Sequence, residues 1–504
     1  MSEAIEAAAL AAKAAGRFDE AARLFAQQIK LQPKSHGPLY NLGNTLLAAG
    51  RLAEAVDAYR RAIRLAPRFA PAHNNLGMAQ LALDDVAHAA TSFTRAAALE
   101  PANPGPNYLA GHALLRLGKP ADALPYLITA DRLAPHNPIT LTDLADALRR
   151  TGQTEAVLPL AREAAALAPD RIEVWNNLAN AERGLGYLAE AEAASRQALT
   201  LQPDDADAHY NLALTLLLAG RLREAWPHWE YRWQSVTRAP PPLPGPLWNG
   251  QAAAGEMVYL HAEQGLGDTI QFCRYATLAA SRARVVLAVQ PQLVRLLQAL
   301  PGVAAVISNR EPVPAYTHQA PLLSLPGIFA TAQDSIPAEI PYLRAEPAAV
   351  SNWAARLAHI AGRKIGIVWS GNPDFPFDHL RSIPAELLAP LGEIPGISFV
   401  SLQLNAKARP NFPLADHTAL LTDFAETAAL IENLDLVIGV DTAVIHLAGA
   451  LGKPVWLANR FDGDWRWGAH GETSPWYPTL RLFRQGRARD WRAVVGALAK
   501  ALRE

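Results

Sequence analysis

Two rhythms divide the chain. In its first half, small, turn-forming and apolar positions recur every 34 residues, the period of a helix–turn–helix repeat. Beyond about residue 248, short β-type apolar runs alternate with amphipathic stretches, the pattern of an α/β fold. Proline marks the repeat at Pro33, Pro67, Pro101, Pro135, Pro169 and Pro203. A turn residue keeps the same register at Gly16, Gly50, Asp84, Gly118, Gly152, Gly186 and Gly220, followed by a small residue at Ala21, Ala55, Ala89, Ala123, Ala191 and Ala225. In such a unit Gly43, Gly77 and Gly111 let the first helix lie close on the second, and the turn residues end the first helix. The alanines sit where the two helices cross, and proline stops the second. About seven units are predicted over 1–236, forming an α-solenoid with a concave face. The first is expected to be truncated, as a cap. The last, ending in the aromatic stretch 226–233, is expected to dock on the second half of the chain.

Periodicity ends near Gln234, and the proline-rich segment 239–246 reads as a stiff, extended strap within a linker at 237–250. The second half predicts strands at 257–261, 284–289, 303–307, 364–369, 397–402, 436–439 and 454–457. Helices are predicted at 269–280, 292–300, 348–361, 385–391, 423–432, 442–451 and 489–502. Two successive α/β units, 251–362 and 363–504, predict two doubly wound domains facing across a cleft, with ligands at the strand C-termini.

Composition narrows the function. Half of the 504 residues are hydrophobic and 18% are charged, so the chain is globular. A net charge of −1 argues against a mainly electrostatic nucleic-acid binder. The single cysteine, Cys273, excludes a disulfide framework and thiolate-rich metal sites. An acidic N-terminal stretch without signal character, and no apolar run long enough to span a membrane, lead to a cytoplasmic expectation.

Candidate chemistry sits on four stretches. The run 436–455 carries a buried strand into Asp441-Thr442-Ala443, where a helix begins, with His446 one turn on. A helix start offers free N–H groups and partial positive charge to a phosphate, and Thr442 and His446 add donors. The same residues also suit an ordinary capped helix with a packed histidine. Gln264-Gly265-Leu266-Gly267-Asp268 brings a carboxylate to the start of another helix, as a general base or as a cap, with His261 and Glu263 as rival bases. Gly371 ends a strand ahead of Arg381, whose guanidinium can hold phosphate oxygens or lie on the surface. Gln403, at another strand end, is placed to meet a base or ribose. The aromatic segments 461–467 and 474–478 suit either stacking on a ligand or a core, and His318 suits either the acceptor side or a plain loop. In the repeats, one position holds Asn41, Asn75, Asp143, Asn177 and Asn211, with Leu109 breaking the series. Asparagine both donates and accepts, so such a row can pair with the peptide units of an extended chain, or brace neighbouring turns.

The 34-residue pattern resembles the tetratricopeptide repeat, and the asparagine series resembles the ladder in the superhelix of protein O-GlcNAc transferases. Asp-Thr-x-x-x-His-x-Ala-x-Ala-x-x-x-Pro, read from Asp441, resembles the nucleotide-diphosphate segment of glycosyltransferase family 9, the heptosyltransferase-like enzymes. The family has glycine where this chain has Ala443. The resemblance implies a GT-B fold of two Rossmann-like domains. It assigns Gly267-Asp268 the catalytic base and Asp441, Thr442, Ala443 and His446 the nucleotide sugar, a side to which the residue readings above add Gly371, Arg381 and Gln403. Asn41, Asn75, Asn177, Asn211 and His318 fall to the acceptor. No D-x-D motif is evident where such an enzyme would hold a metal, so neither metal nor cofactor is expected. Bacterial flagellin-type protein glycosyltransferases resemble the whole combination. The expectation is an α plus α/β protein transferring sugar, with inversion, from a nucleotide sugar to a protein client held by the repeats. Its rivals are transfer to a lipopolysaccharide or other glycan, and an adaptor with an inactive, nucleotide-binding transferase domain.

Overall fold

The computed structural model describes residues 2–153, 156–235, 243–373 and 378–504, so half of the strap predicted at 239–246, residues 239–242, lies outside the described residues. The chain forms two compact units, Met1–Ala181 and Glu182–Glu504, divided within the helix Ile172–Gly184.

In the first unit, helix pairs keep the sequence register. The second helices Phe18–Leu31, Leu52–Leu65, Val86–Leu99 and Pro120–Leu133 each stop two residues before the repeat proline. Between paired helices the turn residue adopts positive φ, 73° at Gly16 and 59° at Asp84, which closes the first helix in the left-handed conformation. Gly77 allows the close approach expected of it, since a Cβ there would stand 2.7 Å from the ring of the fully buried Phe93. The first pair is not truncated. Helix Ser2–Ala14 has the 13 residues of its counterparts His36–Ala48 and Ala70–Ala82, because Ala9 and Ala12 supply the small buried face that a glycine supplies elsewhere.

The second unit opens with the end of the repeats, including the pair Ala206–Leu218 and Leu222–Trp229, then a tight turn Glu230–Trp233. Two sheets come next. Strands β1 (Ala253–His261), β2 (Ala283–Val289), β3 (Ala305–Ser308) and β4 (His318–Pro321) are all parallel, in the order β3-β2-β1-β4. Strands β5 (Arg363–Val368), β6 (Ile397–Ser401), β7 (Leu414–Ala415), β8 (Leu436–Val440) and β9 (Val455–Asn459) enter the second sheet together with β10 (Thr473–Ser474) and β11 (Tyr477–Arg484). Its order is β10-β11-β9-β8-β5-β6-β7, parallel except for the β10–β11 edge pair. Without β10, the strands in chain order run 3-2-1-4-5-6 across the sheet, the Rossmann arrangement. The order reverses between β5 and β8, and in the first sheet between β1 and β4.

Several expectations change. Segment 474–478 is not a loop but the β10–β11 turn and the start of β11. The helix expected at 269–280 is two helices, Leu266–Phe272 and Arg274–Ala280, meeting at buried Cys273. The stretch 292–300 holds only Val294–Leu297 as α-helix. Trp465, Trp467, Trp476 and Tyr477 are buried, so the aromatic segments are core.

Candidate functional site

Strand β8 is buried along its whole length and delivers Asp441 and Thr442 to the reversal point of the second sheet, where the helix Ala443–Ala450 begins. Thr442 occupies the N-cap position with extended backbone (φ −143°, ψ 166°), yet its hydroxyl makes no cap bond. The Oγ1 atom is buried without a hydrogen-bond partner, while the first N–H groups of a helix have no intrahelical acceptor. An unpartnered hydroxyl at the N-terminus of a helix is a place for an anion.

Neighbouring loops frame this mouth. Arg381 donates through Nη1 to the Asp441 carbonyl (3.0 Å) and through Nε to Asp378 (2.8 Å), so it is anchored against β8 rather than loose on the surface. Gly371 lets this pair come close, since a Cβ there would lie 2.2 Å from Asp378 Oδ1 and 2.3 Å from Arg381 Nη2. Gln403 turns inward. Its Oε1 accepts from the N–H groups of Trp369 (3.1 Å) and Ser370 (2.8 Å), and its Nε2 donates to the Leu404 carbonyl (3.1 Å). Gln403 therefore ties down the end of β5. His446 is buried, with Nδ1 3.0 Å from the Tyr477 hydroxyl and Nε2 3.8 Å from Asp441 Oδ1. Burial and the nearby Arg466 charge push its imidazole down to about 3, so it is neutral at physiological pH. Burial, with Asp464 close by, raises the Asp441 carboxyl above the usual range.

The first sheet faces this mouth with the loop after β1. Asp268 accepts the Gly265 N–H (2.8 Å) through Oδ2, so it caps the helix Leu266–Phe272, and its Oδ1 accepts from Arg466 Nη2 at 2.6 Å. A Cβ on Gly267 would stand 2.8 Å from the His446 ring and 3.4 Å from Ala443 Cα, so the two helix starts touch. The rival bases are engaged elsewhere. His261 meets Gln319 (3.0 Å), and Glu263 is held by Arg232 Nε and Nη2 (3.2 and 3.0 Å) and the Leu323 N–H (3.1 Å).

Arg466 escaped the sequence reading. It is 6% exposed, lies over the rings of Trp465 (4.5 Å) and Phe272 (5.4 Å), and also pairs with Asp464 (2.8 Å). No local signal marks it, because its key partner stands 198 residues away. The chain also carries a D-x-D triplet, Asp462-Gly463-Asp464, where none was expected. Its carboxylates face arginines: Asp462 meets Arg460 (3.5 Å) and Arg489 (3.3 Å), and Asp464 meets Arg466. Among the described residues no three His, Cys, Asp or Glu groups gather to hold a metal, and no helix is long and apolar enough to cross a membrane.

In the repeats, Asn75 donates to Asn44 Oδ1 (2.8 Å) and the Tyr40 hydroxyl (3.1 Å) of the preceding repeat. Asn177 donates to the Thr142 carbonyl (3.5 Å), and Asn211 accepts from Arg183 (3.4 Å). Asp143 pairs with His112 (2.8 Å), and the Asn41 carbonyl accepts from Thr45 (2.8 Å). Asn75, Asp143, Asn177 and Asn211 thus bond neighbouring units through their side chains, whereas the Asn41 bond is a backbone one within its own helix. His318, on β4, meets Glu256 (3.1 Å).

Comparison with known proteins agrees with this architecture. The profile of glycosyltransferase family 9 (heptosyltransferase) matches residues 408–456, which include β8, Asp441, Thr442 and His446. Repeat profiles match at 43–84 (TPR repeat) and at 108–172 and 176–242 (tetratricopeptide repeat). Protein FlbA of Caulobacter vibrioides is 29% identical over 327 residues, covering 58% of this chain and 54% of that protein. The chain thus spans about half the length of this curated relative. Among solved structures, YrrB, a TPR protein with an unusual peptide-binding site, is 22% identical with a TM-score of 0.34, over 36% of this chain and 95% of that one. Pseudomonas aeruginosa PilF is 18% identical with a TM-score of 0.36, over 41% and 94%. The repeat register and the parallel sheets thus accompany similarity to tetratricopeptide-repeat profiles in the first half and, over residues 408–456, to the glycosyltransferase family 9 profile.

Proposed function

We propose that this chain transfers a sugar from a nucleotide-sugar donor to a hydroxyl of a protein client recruited by the repeats, in one inverting displacement that needs no metal. The observation that carries the reading is the meeting of two helix starts, one bearing the Asp268 carboxylate and the other the unpartnered Thr442 hydroxyl. The acceptor oxygen attacks the anomeric carbon as the bond from that carbon to the phosphate oxygen breaks. The bonding pair leaves with the phosphate, and the acceptor proton passes to Asp268. The helix start, Thr442, His446 and Arg381 stabilise the departing charge. Asp441, Ala443 and Gly371 shape that mouth, and Gln403 holds the strand end beside it. Asn41, Asn75, Asn177, Asn211 and His318 remain the acceptor-side residues of this reading, with Asn75, Asn177 and Asn211 also bonding neighbouring units. The lone cysteine, a buried free thiol, suits the reducing cytoplasm, where nucleotide sugars are available.

A second reading has its own support: both Asp268 oxygens are engaged and Ala443 replaces the family glycine, as an adaptor that binds nucleotide without transferring sugar would allow. A thermal-shift panel of UDP, GDP, ADP, dTDP and CMP, followed by transfer assays with the matching donor in EDTA, separates the readings. Transfer in EDTA that falls about 100-fold or more in Asp268→Asn supports the enzyme. Binding without turnover supports the adaptor, and a need for Mg²⁺ or Mn²⁺ refutes the metal-free chemistry.

A further inference from the structure

The buried arginine that pairs with Asp268 at one of the two helix starts has a role that neither the repeats nor the family segment at 408–456 supplies. Arg466 lies next to Trp467, whose ring packs 5.0 Å from His446, and it feels the charges of Asp268, Asp464 and Asp441. Its Nη2 is given to Asp268 and its Nη1 to Asp464, while Nε is buried with no partner. One guanidinium is thus shared among carboxylates, with one buried donor unused.

Resting on the nucleotide-sugar reading, we propose that Arg466 is a catalytic cation shared between the base and the leaving phosphate, so that proton transfer to Asp268 releases its charge to the phosphate as that group departs. Before reaction, Asp268 is anionic and competes for the guanidinium. When the acceptor proton moves to Asp268, that competition ends. The same displacement places the electron pair of the broken bond on the phosphate oxygen. One unit of negative charge therefore leaves one side of Arg466 and appears on the other, while the arginine keeps its proton. Because the stabilisation grows along the reaction, it lowers the barrier instead of merely tightening the donor. The guanidinium fork suits this exchange, since it offers donors in several directions at once.

The test uses the full chain and whichever nucleoside diphosphate of UDP, GDP, ADP and dTDP stabilises the wild type, titrated by calorimetry. Asp268→Asn imitates the protonated base, so it should bind that nucleotide at least threefold more tightly than wild type although it cannot transfer sugar. Arg466→Gln should bind about tenfold more weakly, with Arg466→Lys intermediate. Adding Asp268→Asn to Arg466→Gln should bring no gain. The inference is overturned if Asp268→Asn binds no more tightly than wild type, or if its gain persists in the Arg466→Gln background, where the effect would be general charge removal. Circular dichroism and melting of each variant exclude misfolding, and Arg466→Lys carries the comparison if Arg466→Gln fails to fold. A wild type that binds no nucleotide at all overturns the nucleotide-sugar reading. Binding that ignores Asp268 and Arg466 overturns only this inference.

Discussion

Arg232→Met tests how the end of the repeats is built into the α/β half. Arg232 is 3% exposed, with its guanidinium against the rings of Trp229 (5.3 Å) and Trp233 (4.7 Å). It grips Glu263 with two nitrogens and also donates to Glu230 (2.9 Å) and Ser324 (2.7 Å). Methionine keeps the stem but leaves Glu263, whose side chain is 2% exposed, with only the Leu323 N–H as a named partner. Removing one partner of a buried ion pair costs about 3–5 kcal/mol, because the other charge stays desolvated. The cost should depend on pH. Burial already holds the Glu263 carboxyl above its usual range, and Arg232 opposes that rise. Without the arginine the folded-state value climbs further, so the folded variant keeps a proton that the unfolded chain has released. Its stability should then fall as pH rises, with a slope approaching about 1.4 kcal/mol per unit between the unfolded and folded values. Urea unfolding monitored by tryptophan fluorescence at pH 5.5 and pH 8 measures this. The loss should be larger at pH 8, and Arg232→Met/Glu263→Gln should recover most of it. A loss below about 1 kcal/mol at pH 8, equal to that at pH 5.5, would refute the reasoning.

Three further outcomes are expected. Thr442→Val should change stability by less than about 1 kcal/mol, since no hydrogen bond is lost, yet weaken the nucleoside diphosphate by about 1 kcal/mol in calorimetry; unchanged affinity removes Thr442 from the site. Gly77→Ala should cost about 1–3 kcal/mol by thermal melting, because its Cβ would meet the Phe93 ring at 2.7–2.9 Å; a neutral result would mean that the two helices part freely. His446, held at about 3 when folded and near 6.5 when unfolded, contributes stability above pH 6.5 that is lost as pH falls. His446→Gln should therefore lose about 2 kcal/mol less than wild type between pH 7 and pH 4.5, and equal losses would show that this histidine is protonated when folded.

The repeat half was legible because its signals are local and recur: a left-handed turn residue, a close-contact glycine and a stopping proline keep one register. Asp84 shows that the register outranks residue type, since it adopts the same positive φ as the glycines. In the α/β half, β5, β6 and β8 announced themselves as apolar runs. By contrast, β4 (His318–Pro321) and β11 (Tyr477–Arg484) did not, because polar residues and prolines interrupt them and sheet pairing supplies what the sequence pattern lacks. Asp268, Thr442 and His446 stood out as candidates because each lies at or within the first turn of a helix that follows a strand. Arg466 was hidden inside an aromatic run, and nothing in its stretch of sequence marks the bond from Gln403 to the end of β5. Such long-range pairings carry no signature within one stretch of chain.

The last helix pair also bears on how such a protein can change over time. Trp226 donates to the Thr331 carbonyl (2.8 Å) and Trp229 to the Leu323 carbonyl (3.1 Å). Both rings pack edge-on against Trp465, the neighbour of Arg466. This pair is repeat-like in sequence but belongs by its contacts to the α/β half. Duplication, loss or exchange of units therefore has freedom only upstream of it. An engineer can graft a new module upstream of it, but a splice at the proline-rich segment would cut away the Trp226 and Trp229 contacts along with the repeats.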